Sequence, residues 1–74
     1  MKTLVEKLMQ TITAQIDRGQ LPQGSKLPSI RQAAKLYGVS TFTVAEAYSR
    51  LCTQNQLESS AGRGYFVAKP RYQQ

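Results

Sequence analysis

The stretch "AAKLYGVSTFTVAEAYSRL", residues 33–51, has apolar residues at helical spacing on both sides of Gly38-Val39-Ser40. Gly38 favours helix termination and Ser40 is a good N-cap. One helix is therefore expected to stop at Gly38 and another to start at Ser40. So short a connection fixes the angle between two helices. In a helix-turn-helix that angle lets the first helix buttress the second, whose N-terminal end can then meet base edges in a DNA major groove. Ala33 and Ala34 suit this use, because small side chains let the two helices approach closely. An ordinary αα corner in a small bundle has the same spacing, so other parts of the chain must decide.

On the N-terminal side, Leu4, Val5, Leu8, Met9, Ile12 and Ile16 recur at helical spacing. They predict a first helix of about four turns, closed by a left-handed Gly19 after Arg18. "GQLPQGSKLP" then predicts an extended crossing, because Leu21 and Leu27 each precede a proline; a short strand is expected over Ser25–Leu27. Ser29-Ile30-Arg31-Gln32 matches a capping box and opens the second helix, whose apolar face is Ile30, Ala33, Ala34 and Tyr37. In the third helix the buried stripe is Val44, Ala47, Tyr48 and Leu51. Beyond Gln56 the period changes. Leu57–Ser60 and Tyr65–Ala68 read as two strands around the glycine-rich turn Ala61-Gly62-Arg63-Gly64. Alternation alone does not decide whether Phe66 or Val67 faces the core. The expected fold is α+β, mainly α: a winged helix-turn-helix of three helices followed by a two-stranded β-hairpin wing. It occupies residues 1–69, and residues 70–74 read as the start of a linker to a domain outside this chain.

The 74 residues are enough for one small domain, and a domain of that size buries only about 60% of the surface its unfolded chain exposes. Ten Lys and Arg against four Asp and Glu give a net charge of +6, which points to a polyanionic partner, most simply double-stranded DNA. Histidine is absent and Cys52 is the only cysteine, so a conventional structural zinc site and Cys–His or Ser–His nucleophile pairs are excluded. No catalysis is expected. A lone cysteine within an apolar-periodic helix reads as a buried, inert thiol, and the lack of any internal disulfide fits a reducing compartment. No apolar run approaches the ~20 residues needed to span a bilayer, and the start lacks a signal-peptide apolar core. A cytoplasmic location is expected.

Phe42, Glu46 and Ser49 fall on the face of the third helix opposite its buried stripe. A Phe there can lie against a thymine methyl; it can also fold back onto the turn or grip another protein. Ser40, Thr41 and Thr43 put hydroxyls beside the free amides of a helix N-terminus, a seat for phosphate, while Ser40 also serves as the cap. Arg31 lies in the first turn of its helix, where the macrodipole disfavours a cation by a few tenths of a kcal/mol; a phosphate or guanine would offset that. Arg63, next to Gly62 at the wing tip, can reach a minor groove or backbone. Lys26 and Lys35 are weaker candidates for diffuse phosphate attraction. The candidate DNA-binding set is thus Arg31, Ser40, Thr41, Phe42, Thr43, Gly62 and Arg63. The competing class of function is a winged-helix protein-interaction module, with Phe42 as the anchor.

"LPQGSKLPSIRQAAKLYGVSTFTVAEAYSRL" followed by "GRGYFVA" resembles the DNA-binding domain of GntR-type bacterial transcription regulators. The typical run there is L-P-x-G-x-x-L-P-S-x-R-x-L-A, then G-V-S-x-x-T-V, then a G-x-G-x-F-V wing, and the spacing holds along nearly the whole chain. The resemblance implies DNA contact by Arg31, by Ser40, Thr41, Phe42 and Thr43 opening the recognition helix, and by Gly62 and Arg63 at the wing. It also implies a homodimer in a longer protein, with any small-molecule effector bound by another domain. "AEAYSRL", with Ala47-Tyr48, resembles the MocR-like branch, whose members continue into an aminotransferase-like domain binding pyridoxal phosphate; no cofactor is expected in this chain. Thr41 stands where many relatives have arginine, and Ala45 also departs from the pattern. A recognition helix with no cation in its first turn should read fewer guanines and lean on Arg31, Arg63 and Phe42.

Overall fold

The computed structural model describes residues 2–68. Three helices, α1 (Leu4–Asp17), α2 (Ile30–Tyr37) and α3 (Thr41–Thr53), are followed by the strands β1 (Leu57–Ser60) and β2 (Gly64–Val67). The segment expected to begin a linker, residues 70–74, lies outside the described residues. No helix among the described residues is long and apolar enough to cross a membrane.

Each helix begins where its local chemistry stops the preceding extended chain. Thr3 and Glu6 form a capping box on α1, and Ser29 and Gln32 form another on α2. At the far end of α2, Gly38 turns left-handed (φ +68°, ψ +36°), a conformation that costs other L-residues about 1–2 kcal/mol. The Val39 N–H still bonds back to Ala34 O (3.0 Å), and Ser40 then caps α3 through the Thr43 N–H (3.0 Å). The break in the apolar pattern is thus a glycine-ended helix followed at once by a serine-capped one.

α3 is the central element. It packs against α1, α2 and β1, and its stripe of Val44, Ala47, Tyr48 and Leu51 is fully buried. Leu8 and Ile12 of α1, Leu27, Ala33 and Ala34 of α2, Leu57 and Val67 close around it. Most of the first helix's apolar stripe faces inward, but Leu4 does not. It lies in the first turn, beyond the end of the core, and is exposed.

β1 and β2 pair antiparallel in the register Leu57–Val67, Glu58–Phe66, Ser59–Tyr65 and Ser60–Gly64. Leu57 and Val67 are therefore directly opposite and both buried, which assigns Val67 to the core and Phe66 to the other face. The wing turn closes one residue earlier than the expected Tyr65 start, because the Arg63 N–H bonds to Ser60 O (2.9 Å) and pairing begins at once with Gly64. Gly62 (φ +76°) takes the position a type II turn reserves for glycine. The strand expected over Ser25–Leu27 is reduced to a single bridge between Lys26 and Phe66. Hydrogen bonds from Leu27 N–H to Tyr65 O and from Val67 N–H to Ser25 O (2.9 Å each) hold this connector along β2.

Candidate nucleic-acid interface

With one side of α3 buried, its N-terminal turn leaves Thr41 and Phe42 to solvent. Phe42 is 75% exposed, more than any other large apolar side chain described. It does not fold back onto the turn. The backbone N–H groups of Thr41 and Phe42 precede the first intrahelical bonds, which leaves them free to donate outward.

Thr43 differs from the sequence expectation. It is only 8% exposed, and its Oγ1 lies 2.9 Å from Ser40 Oγ. Its side chain projects on the same side as Ala47, one turn further on, so its hydroxyl is part of the cap and not of the outer face. Ser40 remains exposed, with its oxygen engaged by the Thr43 amide and hydroxyl.

Further along α3, Arg50 Nε donates to Glu46 Oε2 (3.0 Å), an i,i+4 pair that neutralises the only carboxylate on the helix. Being solvent-exposed, such a pair adds at most about 1 kcal/mol to stability. Its effect here is on the field, since an unopposed carboxylate would repel phosphate. The spacing of Glu46 and Arg50 was a readable sign of this pair.

Arg31, in the first turn of α2, and Arg63, at the wing tip, are both exposed, and neither makes an ion pair among the described residues. No hydrogen bond joins either of them to the start of α3. The candidate residues thus stand on three separate elements whose relation is set by the core beneath. Lys26, one residue before Leu27, lies against the wing's base; a Cβ on Gly64 would sit 3.4 Å from its Cε.

Beneath this surface is Tyr48, which the helical period places in the buried stripe. Its hydroxyl donates to Pro28 O (2.9 Å), and its ring lies 4.8 Å from that of Tyr65 at 59°. Burial, with smaller contributions from Tyr37 and Tyr65, pushes its ionisation up to about 12. Cys52 is half-buried, and desolvation raises its thiol above the usual value. Among the described residues no three His, Cys, Asp or Glu side chains converge on a metal-sized site.

Residues 4–67 match the family model for bacterial regulatory proteins of the gntR family. The chain belongs to the GntR family. It is 38% identical over 68 residues to the HTH-type transcriptional repressor NagR of Bacillus subtilis, covering 92% of this chain but 28% of NagR. The GntR fold is equally clear among solved structures. A transcriptional antiterminator from Listeria monocytogenes EGD-e superposes with a TM-score of 0.91 at 32% identity, over 100% of this chain and 55% of its own. The DNA-binding domain of AraR in complex with operator ORE1 superposes with a TM-score of 0.88 at 29% identity, over 92% of this chain and 83% of its own. This chain is a GntR-type winged-helix DNA-binding domain, and the relatives it matches are regulators and repressors, not enzymes.

Proposed function

We propose that the chain recognises a double-stranded operator, with the start of α3 in the major groove and the Gly62–Arg63 wing at the adjacent backbone or minor groove. The observation that carries this is the likeness in shape to AraR's domain bound to its operator, combined with an outward-facing α3 start that carries an exposed Phe42. Arg31 contributes a phosphate or guanine contact at the start of α2. Thr41 and the free amides beside it seat a phosphate. Phe42 lies on a thymine methyl. Ser40 and Thr43 act by shaping the helix start that carries those two.

Residues 1–69 form the DNA-binding unit and residues 70–74 begin a linker. The full-length regulator is a homodimer on paired half-sites, acts in the cytoplasm, and receives any small-molecule effector through another domain. Repression follows the naming of relatives such as NagR. Ala47-Tyr48 supports the MocR-like branch; pyridoxal phosphate belongs, by that resemblance only, to a further domain, and no role is proposed for it in these residues.

The test is fluorescence anisotropy of this domain on labelled duplexes from about 50 to 300 mM salt, the range over which counterion release changes affinity by orders of magnitude. Arg31→Ala and Arg63→Ala should each make the log–log slope shallower by about 1 if the side chain meets a phosphate. Weak binding that is flat with salt and indifferent to both substitutions would overturn the proposal in favour of a protein partner at Phe42.

A further inference from the structure

Three parts of the proposed DNA surface come from distant points in the sequence: the start of α2 with Arg31, the start of α3, and the wing with Arg63. One buried side chain touches the supports of all three. We infer that Tyr48 is a positioning residue that sets the start of α2 and the second strand of the wing against the recognition helix on which it stands. This rests on the placement of Arg31 and Arg63 proposed above.

The geometry follows from what the backbone leaves unpaired. At the start of α2 the first helical bond runs from Ala33 N–H to Ser29 O (2.8 Å). Pro28 O, one residue earlier, is therefore outside the helical ladder. Tyr48 supplies its partner, the phenol hydroxyl at 2.9 Å. That bond pins the carbonyl immediately before the N-cap, and Arg31 follows two residues after that cap in a turn already fixed by the Ser29–Gln32 capping box. On the other side, the Tyr48 ring packs against Tyr65 of β2, two residues beyond Arg63. The connector itself is clamped between the two, because Leu27 N–H bonds to Tyr65 O. Tyr48 is fully buried, and its phenol has one oriented acceptor, so it has little freedom to shift. A Leu could fill the same stripe. It could neither bond to Pro28 O nor stack on Tyr65.

A purely structural role would lower the melting temperature while leaving the DNA affinity of the folded protein unchanged. A positioning role predicts more. Binding to a duplex selected from a random pool is measured well below the melting midpoint for wild type, Tyr48→Phe, Arg31→Ala and the double variant, with folding checked by circular dichroism. Phe keeps the ring and removes the bond to Pro28. The loss caused by R31A should then shrink by at least about threefold in the Y48F background, since independent, distant sites would simply add. In parallel, Tyr65→Leu removes the ring pair and leaves the Pro28 bond. It should couple in the same way to Arg63→Ala, and it carries the test should Y48F fail to fold. Lys7→Ala on α1 should couple to neither. Equal losses from R31A in both backgrounds, with R63A likewise indifferent to Y65L, would overturn the inference while leaving the Arg31 and Arg63 placements standing. No loss from R31A or R63A in the wild type would overturn those placements and the inference together.

Discussion

Replacing thymine by deoxyuridine removes one methyl group from the major groove and nothing else, which makes it a direct probe of Phe42. Phe42 is 75% exposed in the free domain, so most of its apolar surface is available to a ligand. A methyl fully covered by that ring is worth about 0.8 kcal/mol, which is about fourfold in Kd. The assay is anisotropy on a duplex selected from a random pool, with each thymine changed to deoxyuridine in turn. One position per half-site should weaken wild-type binding about fourfold. The same change should leave Phe42→Ala unaffected, because the methyl then has nothing to lie against. Since the side chain is already in water, F42A should shift folding stability by no more than about 0.5 kcal/mol. The reasoning fails if no thymine-to-uracil change costs wild type more than it costs F42A, or if F42A unfolds the domain.

Other outcomes follow from the core and the caps. Gly38→Ala puts a Cβ at φ +68° with nothing within 4 Å of it, so the cost is conformational alone; a loss of about 1 kcal/mol is expected in urea denaturation. Thr43→Val keeps the volume and removes the hydroxyl beside Ser40, and should lower stability by about 1 kcal/mol while leaving sequence preference in the selection assay unchanged. Tyr48 ionises at about 12 in the folded state against 10 when free, so the folded state holds the proton more tightly. Stability is therefore independent of this proton below pH 10 and falls by about 2–3 kcal/mol as the pH rises from 10 through 12. Tyr48→Phe should be about 1 kcal/mol less stable at neutral pH and should lose that part of the alkaline decline, which denaturant titration against pH would read.

The helices were legible because their signals are local. Ser29-x-x-Gln32 and Gly38 with Ser40 announce ends that the backbone then adopts. The Thr3-x-x-Glu6 box at the start of α1 is an equally local signal. The inward turn of Thr43 was also readable, since it stands four residues before Ala47 on the same side of α3; its hydroxyl suggested the surface because it lies in the sequence beside the free amides of a helix N-terminus. Val67 against Phe66 could not be decided in a four-residue strand with aromatic or apolar residues on both faces. The bond from Tyr48 to Pro28 and the pairing of β2 with the connector join distant residues, and a sequence pattern carries no sign of which distant groups will meet. The wing's glycines were informative, but the register of its strands depended on the turn bond from Arg63 to Ser60.

The pairing of the α1–α2 connector with β2 also bears on how the chain comes into being. A ribosome releases α1, α2 and α3 before it releases β2, yet the connector's Leu27 N–H finds its acceptor only on Tyr65, and Ser25 O its donor only on Val67. Leu57 and Val67, which close one end of the core, emerge late as well. Contacts between such distant residues are costly to close and slow to form. The pairing of connector, β2 and core is therefore complete only once residue 67 has been made, so the full arrangement of α2, α3 and wing becomes available after the last strand emerges.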